Sequence, residues 1–425
     1  MPLSRKICVL SLVIAVAIVC ELSIPNQAIL QKALWILLAI VGIFVFIMRD
    51  RYNLVLNRMF LIANLAYAPF VIAAIGTVSM YFLVGDELNI TIQAITTTIY
   101  LIVDMLAAYC LVSVFKTKSI LIMIAAICLS YALSLFVGFL SVGLNGFILY
   151  LSGSNLISSV WFEKHDVGVS VVPLVIFLIF KFKEMGNSNK RICIAVLLAL
   201  MLILFICGKR SALMGLCVGI FCFLIYRITR DERNRISVVF ISAICVLIGS
   251  YAYVCIIHSG ILGNIANYFA INSMGRIEVY EWFTDQYDIT PVYFGKGFQY
   301  IHQYMNAGLG SELVNDFDYL HNSILQIYIE TGFWGFWAWF IFILIIFPYS
   351  IKRYFGNRCY IFASTLMIVT VAIFMTDNVL TYPLYQLTLY VTLFAFIINK
   401  NSDARKHFTV SFVGCKSEKR FISII

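Results

Sequence analysis

From Ile236 to Ile257 the chain reads ISVVFISAICVLIGSYAYVCII, twenty-two residues without one charge. At about 1.5 Å per residue, a helix of that length covers about 33 Å, enough for the hydrocarbon core of a bilayer. A barrel strand would be about half as long and would alternate apolar with polar residues. Arg227, Arg230, Arg233 and Arg235 crowd the side on which the run begins. An apolar run with cations at one end is the pattern of a membrane helix whose basic end faces the cytoplasm.

The rest of the chain repeats the pattern. Of 425 residues, 62% are hydrophobic and 12% are charged, where a soluble domain carries about a quarter charged. The mean hydropathy of +0.96 leaves too little polar surface to cover a water-facing domain. The bilayer is therefore the solvent for most of the chain, and backbone groups there must be satisfied within helices. Twelve apolar runs are expected to span, near 7–24, 30–48, 59–83, 90–115, 119–140, 167–182, 192–208, 212–227, 236–257, 323–347, 359–379 and 382–399. The first run follows Arg5 and Lys6 as in a signal peptide. Glu21 and Pro25 stand where a small-residue cleavage site would fall, so it reads as an uncleaved span. The expected fold is all-α and polytopic: a membrane domain over 1–400, with a large extracytoplasmic loop at 258–321 and a basic, loosely ordered cytoplasmic tail at 401–425.

Charge orients these spans. With the N-terminus in the cytoplasm, 24 of the 30 basic residues fall on the cytoplasmic side. The net charge of +9 is thus a topology signal and implies no nucleic acid. Six basic residues break the rule: Lys32, Lys164, Lys209, Arg210, Arg276 and Lys296. The large loop is acidic and rich in tyrosine, and a loop of that length is usually functional or separately folded. None of the twelve cysteines lies in it. They read as small packing residues, with no disulfide framework or metal pair.

Three segments meet at the outer surface in this topology. Gly208-Lys209-Arg210-Ser211 joins the seventh and eighth spans. Its two outward cations suit phosphate oxygens, or snorkel to lipid headgroups. Gly275-Arg276 and Phe294-Gly295-Lys296-Gly297-Phe298 lie in the large loop. Gly-Lys-Gly permits close backbone approach to a ligand and adds a cation, or is an ordinary turn; the spacing is not that of a P-loop. The third segment runs from His321-Asn322 to Glu330-Thr331-Gly332 and Gly335. Imidazole is well poised to accept a proton near neutrality, although a lone interfacial histidine also serves as a simple hydrogen-bonding group. Glu330 sits within an apolar run, where an ionisable group needs a reason. Asp104 and Asp377 are further acids near or within spans, each able to pair with a polar neighbour. Asp316-Phe317-Asp318 has the spacing of a D-x-D metal site, but two acids in an acidic loop are more often solvated. The remaining histidines lack ligand spacing, so no metal site is assigned.

Taken in order, Gly208-Lys209-Arg210-Ser211, Gly275-Arg276 with Trp282, Phe294-Gly295-Lys296-Gly297-Phe298 and His321-Asn322-Ser323-Ile324-Leu325-Gln326 leading to Glu330-Thr331-Gly332-Phe333-Trp334-Gly335 resemble the bacterial O-antigen polymerase and O-antigen ligase superfamily, including the Wzy-like polysaccharide polymerases. The resemblance covers about 205–340. The sequence departs from the family at Lys209, where other residues are common, and at Phe162-Glu163-Lys164-His165-Asp166, where an asparagine-containing motif often occurs.

The resemblance implies a multi-pass glycosyltransferase of C-type architecture in the bacterial inner membrane, both termini cytoplasmic and the active site extracytoplasmic. Its substrates would be undecaprenyl-diphosphate-linked glycans, polymerised into O-antigen, capsule or exopolysaccharide. Membrane lipids surround it, and the flippase and chain-length regulator of the same pathway are candidate partners. No cofactor is expected. On this reading His321 deprotonates the acceptor hydroxyl, with Glu330 orienting it or a neighbouring arginine. Arg210 and Arg276, assisted by Lys209 or Lys296, hold the donor diphosphate without metal. A ligase that transfers the finished chain to a lipid A core would share this layout. A transporter of lipid-linked glycans would instead show inverted repeats and broken helices at mid-membrane.

Overall fold

The computed structural model describes residues 3–23, 29–151, 165–270, 273, 275–311, 314 and 319–413. Among these residues all regular structure is helical. Every one of the twelve expected spans falls on a helix: α1 Leu3–Ser23, α2 Ile29–Met48, α3 Leu54–Ala66, α4 Ala68–Val84, α5 Ile90–Phe115, α6 Lys118–Leu151, α7 His165–Lys181, α8 Asn187–Cys207, α9 Arg210–Ile228, α10 Glu232–His258, then, beyond the large loop, α14 Ser323–Ile341 with α15 Phe347–Phe355, α16 Asn357–Phe374 and α17 Pro383–Val413. Seven of these rods are long and apolar enough to cross a membrane, with α3 and α4 taken together as one and α14 and α15 as another. Shorter apolar stretches cover Lys32–Met48, Lys118–Leu133 and Pro383–Asn399.

Several boundaries differ from the hydropathy reading, among them that of the fifth span, whose helix runs on to Leu151. The third expected span is broken at Tyr67, because Pro69 at the start of α4 has no N–H to continue the α3 ladder. The tenth is longer than expected: a π turn over Phe342–Ile346 joins α14 to α15, and the rod ends at Phe355. The eleventh is shorter: α16 ends at Phe374, and residues 375–382 form a buried turn. At the C-terminus, the backbone of 401–413 continues α17 where a loosely ordered tail was expected; each residue added to an existing helix is cheap compared with a new nucleus.

Burial sorts the helices into centre and rim. In the spanning window of α16, 83% of residues are buried, against 28% in α8, α9 and α10. The rim helices carry Leu198, Leu202, Phe205, Phe221, Leu224, Ile241 and Ile248 exposed, the apolar outer face that a lipid-facing helix presents. α9 still lies tight against the centre. A Cβ at Gly215 would come within 2.6 Å of Ile373 on α16, and one at Gly219 within 2.7 Å of Ile176 on α7.

The helix ends group as the charge alternation requires. At one end Glu184 pairs with both Lys181 and Arg358, and Asn357 donates to Glu232 at 2.9 Å. At the other end lie the start of α9, the turn 375–382, the start of α14 and the large loop. Among its described residues that loop holds the short α-helices α11 Ile261–Tyr268, α12 Arg276–Trp282 and α13 Tyr300–Asn306.

Candidate functional site

The turn 375–382 organises the site. Asp377, only 1% exposed, accepts from Lys209 Nζ at 2.6 Å and Ser211 Oγ at 3.0 Å on Oδ2. Its Oδ1 accepts from Tyr382 OH and from the Asn378 amide, both at 2.9 Å. His321 Nδ1 lies 3.9 Å from the same Oδ1. Burial alone would raise the Asp377 carboxyl. The opposing pull of His321, the Lys209 ammonium and Tyr382 wins, and holds it well below the usual carboxylate range. Asp377 is therefore a fixed anion beside the imidazole.

Each partner is locked by its own element. Lys209 and Ser211 flank the start of α9, and Lys209 also lies over the Tyr382 ring, 4.8 Å from its centroid. His321 takes a left-handed backbone at φ 53°, just before Asn322 caps α14 by accepting from the Leu325 amide at 3.0 Å. The Asn322 amide donates to Asn378 Oδ1 at 3.1 Å, and Ser323 Oγ donates to the Asp377 carbonyl at 2.9 Å. Tyr253 OH donates to the Met375 carbonyl at 3.0 Å, and Tyr280 OH to the His321 carbonyl at 3.1 Å. Burial pushes the Tyr280 phenol far up, so it remains a proton donor there. The histidine's backbone is thus tied to α10, α12 and the turn.

The cations divide by surroundings. Arg276 Nη1 donates to the Thr376 carbonyl at 3.2 Å, which brings its guanidinium to the residue before Asp377. Arg210 is exposed at the first turn of α9, an end whose open N–H groups favour anions. Lys209 has its charge matched by Asp377. Lys296 and Glu330 belong to a different construction. α14 breaks at Gly332, with φ 71° and ψ −175°. The strand-like segment 293–297 fills the break: Lys296 N donates to Ile329 O at 2.9 Å, Gly297 N to Glu330 O at 2.9 Å and Phe333 N to Tyr293 O at 2.9 Å. The close approach permitted by Gly-Lys-Gly is to this opened helix. A Cβ at Gly295 would sit 2.5 Å from Glu330 O and from Gly332 N. The Glu330 carboxylate accepts from Gln326 Nε2 at 3.1 Å and Ile301 N at 3.3 Å. Its bonds run to its own helix and to α13, away from the His321 cluster.

The structure therefore brings together Lys209, Arg276 and His321, places Arg210 beside Lys209, and sets Lys296 and Glu330 in a separate support. Asp377 reads from sequence only as an acid able to pair with a polar neighbour, and its place beside His321 comes from the structure. Its signal was Thr376-Asp377-Asn378, a polar triplet at the end of an apolar run, where an ionised side chain is expensive. Asp316-Phe317-Asp318 and Phe162-Glu163-Lys164 lie outside the described residues, as do the side chains of His165 and Asp166. Among the described residues no group of three or more metal-ligating acids, histidines or cysteines forms.

No curated protein and no solved structure matches the chain significantly. A family model described as O-antigen ligase matches residues 194–340, the stretch that carries Lys209, Arg210, Arg276, Lys296, His321 and Glu330. Over that stretch the chain is similar to the O-antigen ligase family.

Proposed function

We propose that this O-antigen ligase- or polymerase-type membrane enzyme is a polymerase. It joins oligosaccharide repeat units carried on undecaprenyl diphosphate, at the extracytoplasmic face of the inner membrane. The observation that carries the transferase part of this reading is His321 beside the buried Asp377 anion, next to Arg276 and Arg210. A carboxylate beside an imidazole stabilises the imidazolium that forms when the ring takes a proton. Two guanidiniums match the charge that develops on a departing diphosphate.

The reaction follows from these roles. The acceptor hydroxyl oxygen attacks the anomeric carbon of the donor sugar. The bond from that carbon to the diphosphate oxygen breaks, and the electron pair leaves with the lipid diphosphate. His321 takes the hydroxyl proton and later returns it to solvent or to the diphosphate. Direct displacement inverts the anomeric centre. Asp377 is a positioning residue that acts through His321, and Tyr280 and Asn322 fix the histidine backbone.

The test is transfer in a reconstituted bilayer that holds the purified protein and its lipid-diphosphate-linked repeat unit. A ladder of products is expected from the wild type, and His321→Ala should reduce it at least about 100-fold. Arg276→Lys keeps the charge but loses the fork, and should lower transfer more than a surface substitution does. Single-step transfer only after lipid A core is added would make the protein a ligase. Binding of the lipid-linked glycan without any bond formed would defeat the transferase reading in favour of a transporter.

A further inference from the structure

A second polar feature lies beside the cluster. A cavity of about 150 Å³ opens between α2, α5, α13 and the turn 375–382. It shares that turn with the site. Thr381 lines the cavity and bonds to the Asn378 carbonyl through both N and Oγ1, at 3.1 and 3.2 Å, while its neighbour Tyr382 reaches Asp377. Tyr319, two residues before His321, forms another part of the wall, stacked on His302 with ring centroids 4.9 Å apart.

Two donors in this wall lack acceptors. Trp35 is 1% exposed and Gln299 2% exposed, and neither Trp35 Nε1 nor Gln299 Nε2 meets a hydrogen-bond partner. Native interiors leave few such groups, and here two belong to residues that line one cavity. Gln299 is also held at φ 72°, a costly backbone for a residue other than glycine. Facing them along one side of α5 are Gln93, Thr97, Tyr100 and Asp104, at the spacing of a single helix face.

The composition of the wall selects the ligand. Donors without acceptors, a carboxylate, amides and hydroxyls stand next to aromatic rings. A sugar ring offers hydroxyls that both accept and donate, and a C–H face that lies on aromatic rings. A diphosphate is disfavoured by Asp104, and the one cation in the wall, Lys32, already lies over Tyr100 at 4.6 Å. A lipid chain would prefer the apolar groove of about 630 Å³ between α4 and α14. At about 30 Å³ per water, the polar cavity holds the equivalent of about five waters, the scale of one sugar ring.

We propose that this cavity binds one sugar ring of the glycan, with Trp35 Nε1 and Gln299 Nε2 donating to its oxygens and Asp104 accepting from its hydroxyls. The proposal rests on the glycosyltransferase reading, since it supplies the subsite that holds a ring next to His321.

The test uses the full chain in lipid nanodiscs and two probes. One is the repeat-unit oligosaccharide released by mild acid from the lipid-linked intermediates of the producing cell; the other is inorganic pyrophosphate. Trp35→Phe removes the indole N–H together with part of the ring, and Gln299→Met removes the side-chain amide with little change of length. Each is expected to weaken oligosaccharide binding about 3- to 10-fold, and to leave pyrophosphate binding unchanged. If Gln299→Met does not fold, Trp35→Phe alone carries the test. No binding of the oligosaccharide to the wild type, or equal binding by the variants, overturns the proposal. So does a parallel loss of pyrophosphate binding. In transfer assays, a KM rise for the acceptor alone assigns the ring to the acceptor glycan, and a rise for the lipid-linked donor alone assigns it to the donor. Selective loss of oligosaccharide binding in a protein that forms no product would keep the sugar site and remove the transferase reading.

Discussion

Lys209 and Asp377 form a nearly buried ion pair, 11% and 1% exposed, at 2.6 Å. Removing one member of such a pair strands the other in a medium that solvates it poorly. In Asp377→Asn the remaining carbonyl oxygen can still accept from Tyr382 and Asn378, but the new amide N–H₂ faces Lys209 Nζ and Ser211 Oγ, two groups that now donate to Oδ2. The expected loss is about 3–5 kcal/mol, the range for a broken buried pair, at its lower end because Lys209 keeps some contact with solvent. Lys209→Met leaves the Asp377 anion with Ser211, Tyr382 and the Asn378 amide, and should lose about 2–4 kcal/mol. The double variant contains neither charge. Its loss should fall short of the summed single losses by at least about 2 kcal/mol. Reversible unfolding in mixed detergent and dodecyl sulfate micelles, followed by tryptophan fluorescence, measures all four corners of the cycle. Losses that add within about 0.5 kcal/mol would refute the reasoning, because Lys209 would then be a cation independent of Asp377.

The same carboxylate sets a pH signature. Its folded pKa is depressed, so its stabilising contribution is complete above the ordinary aspartate value of about 3.9 and is lost as pH falls below it. The stability gap between wild type and Asp377→Asn should shrink progressively as pH falls below about 4; a gap that stays constant from about pH 5 to 2 would contradict this. Gly332→Ala places a Cβ 2.5 Å from Gly295 N and from Tyr293 O at φ 71°, and should lose at least about 3 kcal/mol in the same unfolding assay. Glu330→Gln preserves an acceptor for Gln326 and for the Ile301 amide, and should retain transfer within about threefold. A loss as large as that of His321→Ala would return Glu330 to the reacting centre.

Composition and charge placement determined much of this protein on their own. Every expected span lies on a helix, and the helix ends assigned to one side do meet, as Glu184 with Lys181 and Arg358 shows. Both results follow from transfer energies that each segment meets alone: twenty apolar residues prefer hydrocarbon whatever surrounds them. The motifs also marked His321, Arg210 and Arg276 as unusual, because cations and imidazole at that end run against the charge bias. What the motifs meant depended on packing. Hydropathy extends the eleventh span to 379, because Val371, Ile373, Phe374 and Met375 outweigh Thr376-Asp377-Asn378. Only the folded chain shows the helix ending at Phe374 and the acid turning toward Lys209 and His321, 168 and 56 residues away in sequence. Likewise the Gly-Lys-Gly turn and the Thr-Gly of α14 read as two separate features, yet each exists to fit the other. Local hydrophobicity is a property of a segment, whereas a charge pair, an opened helix or a cavity is a property of segments brought together. That is why the tertiary structure alone decided the site.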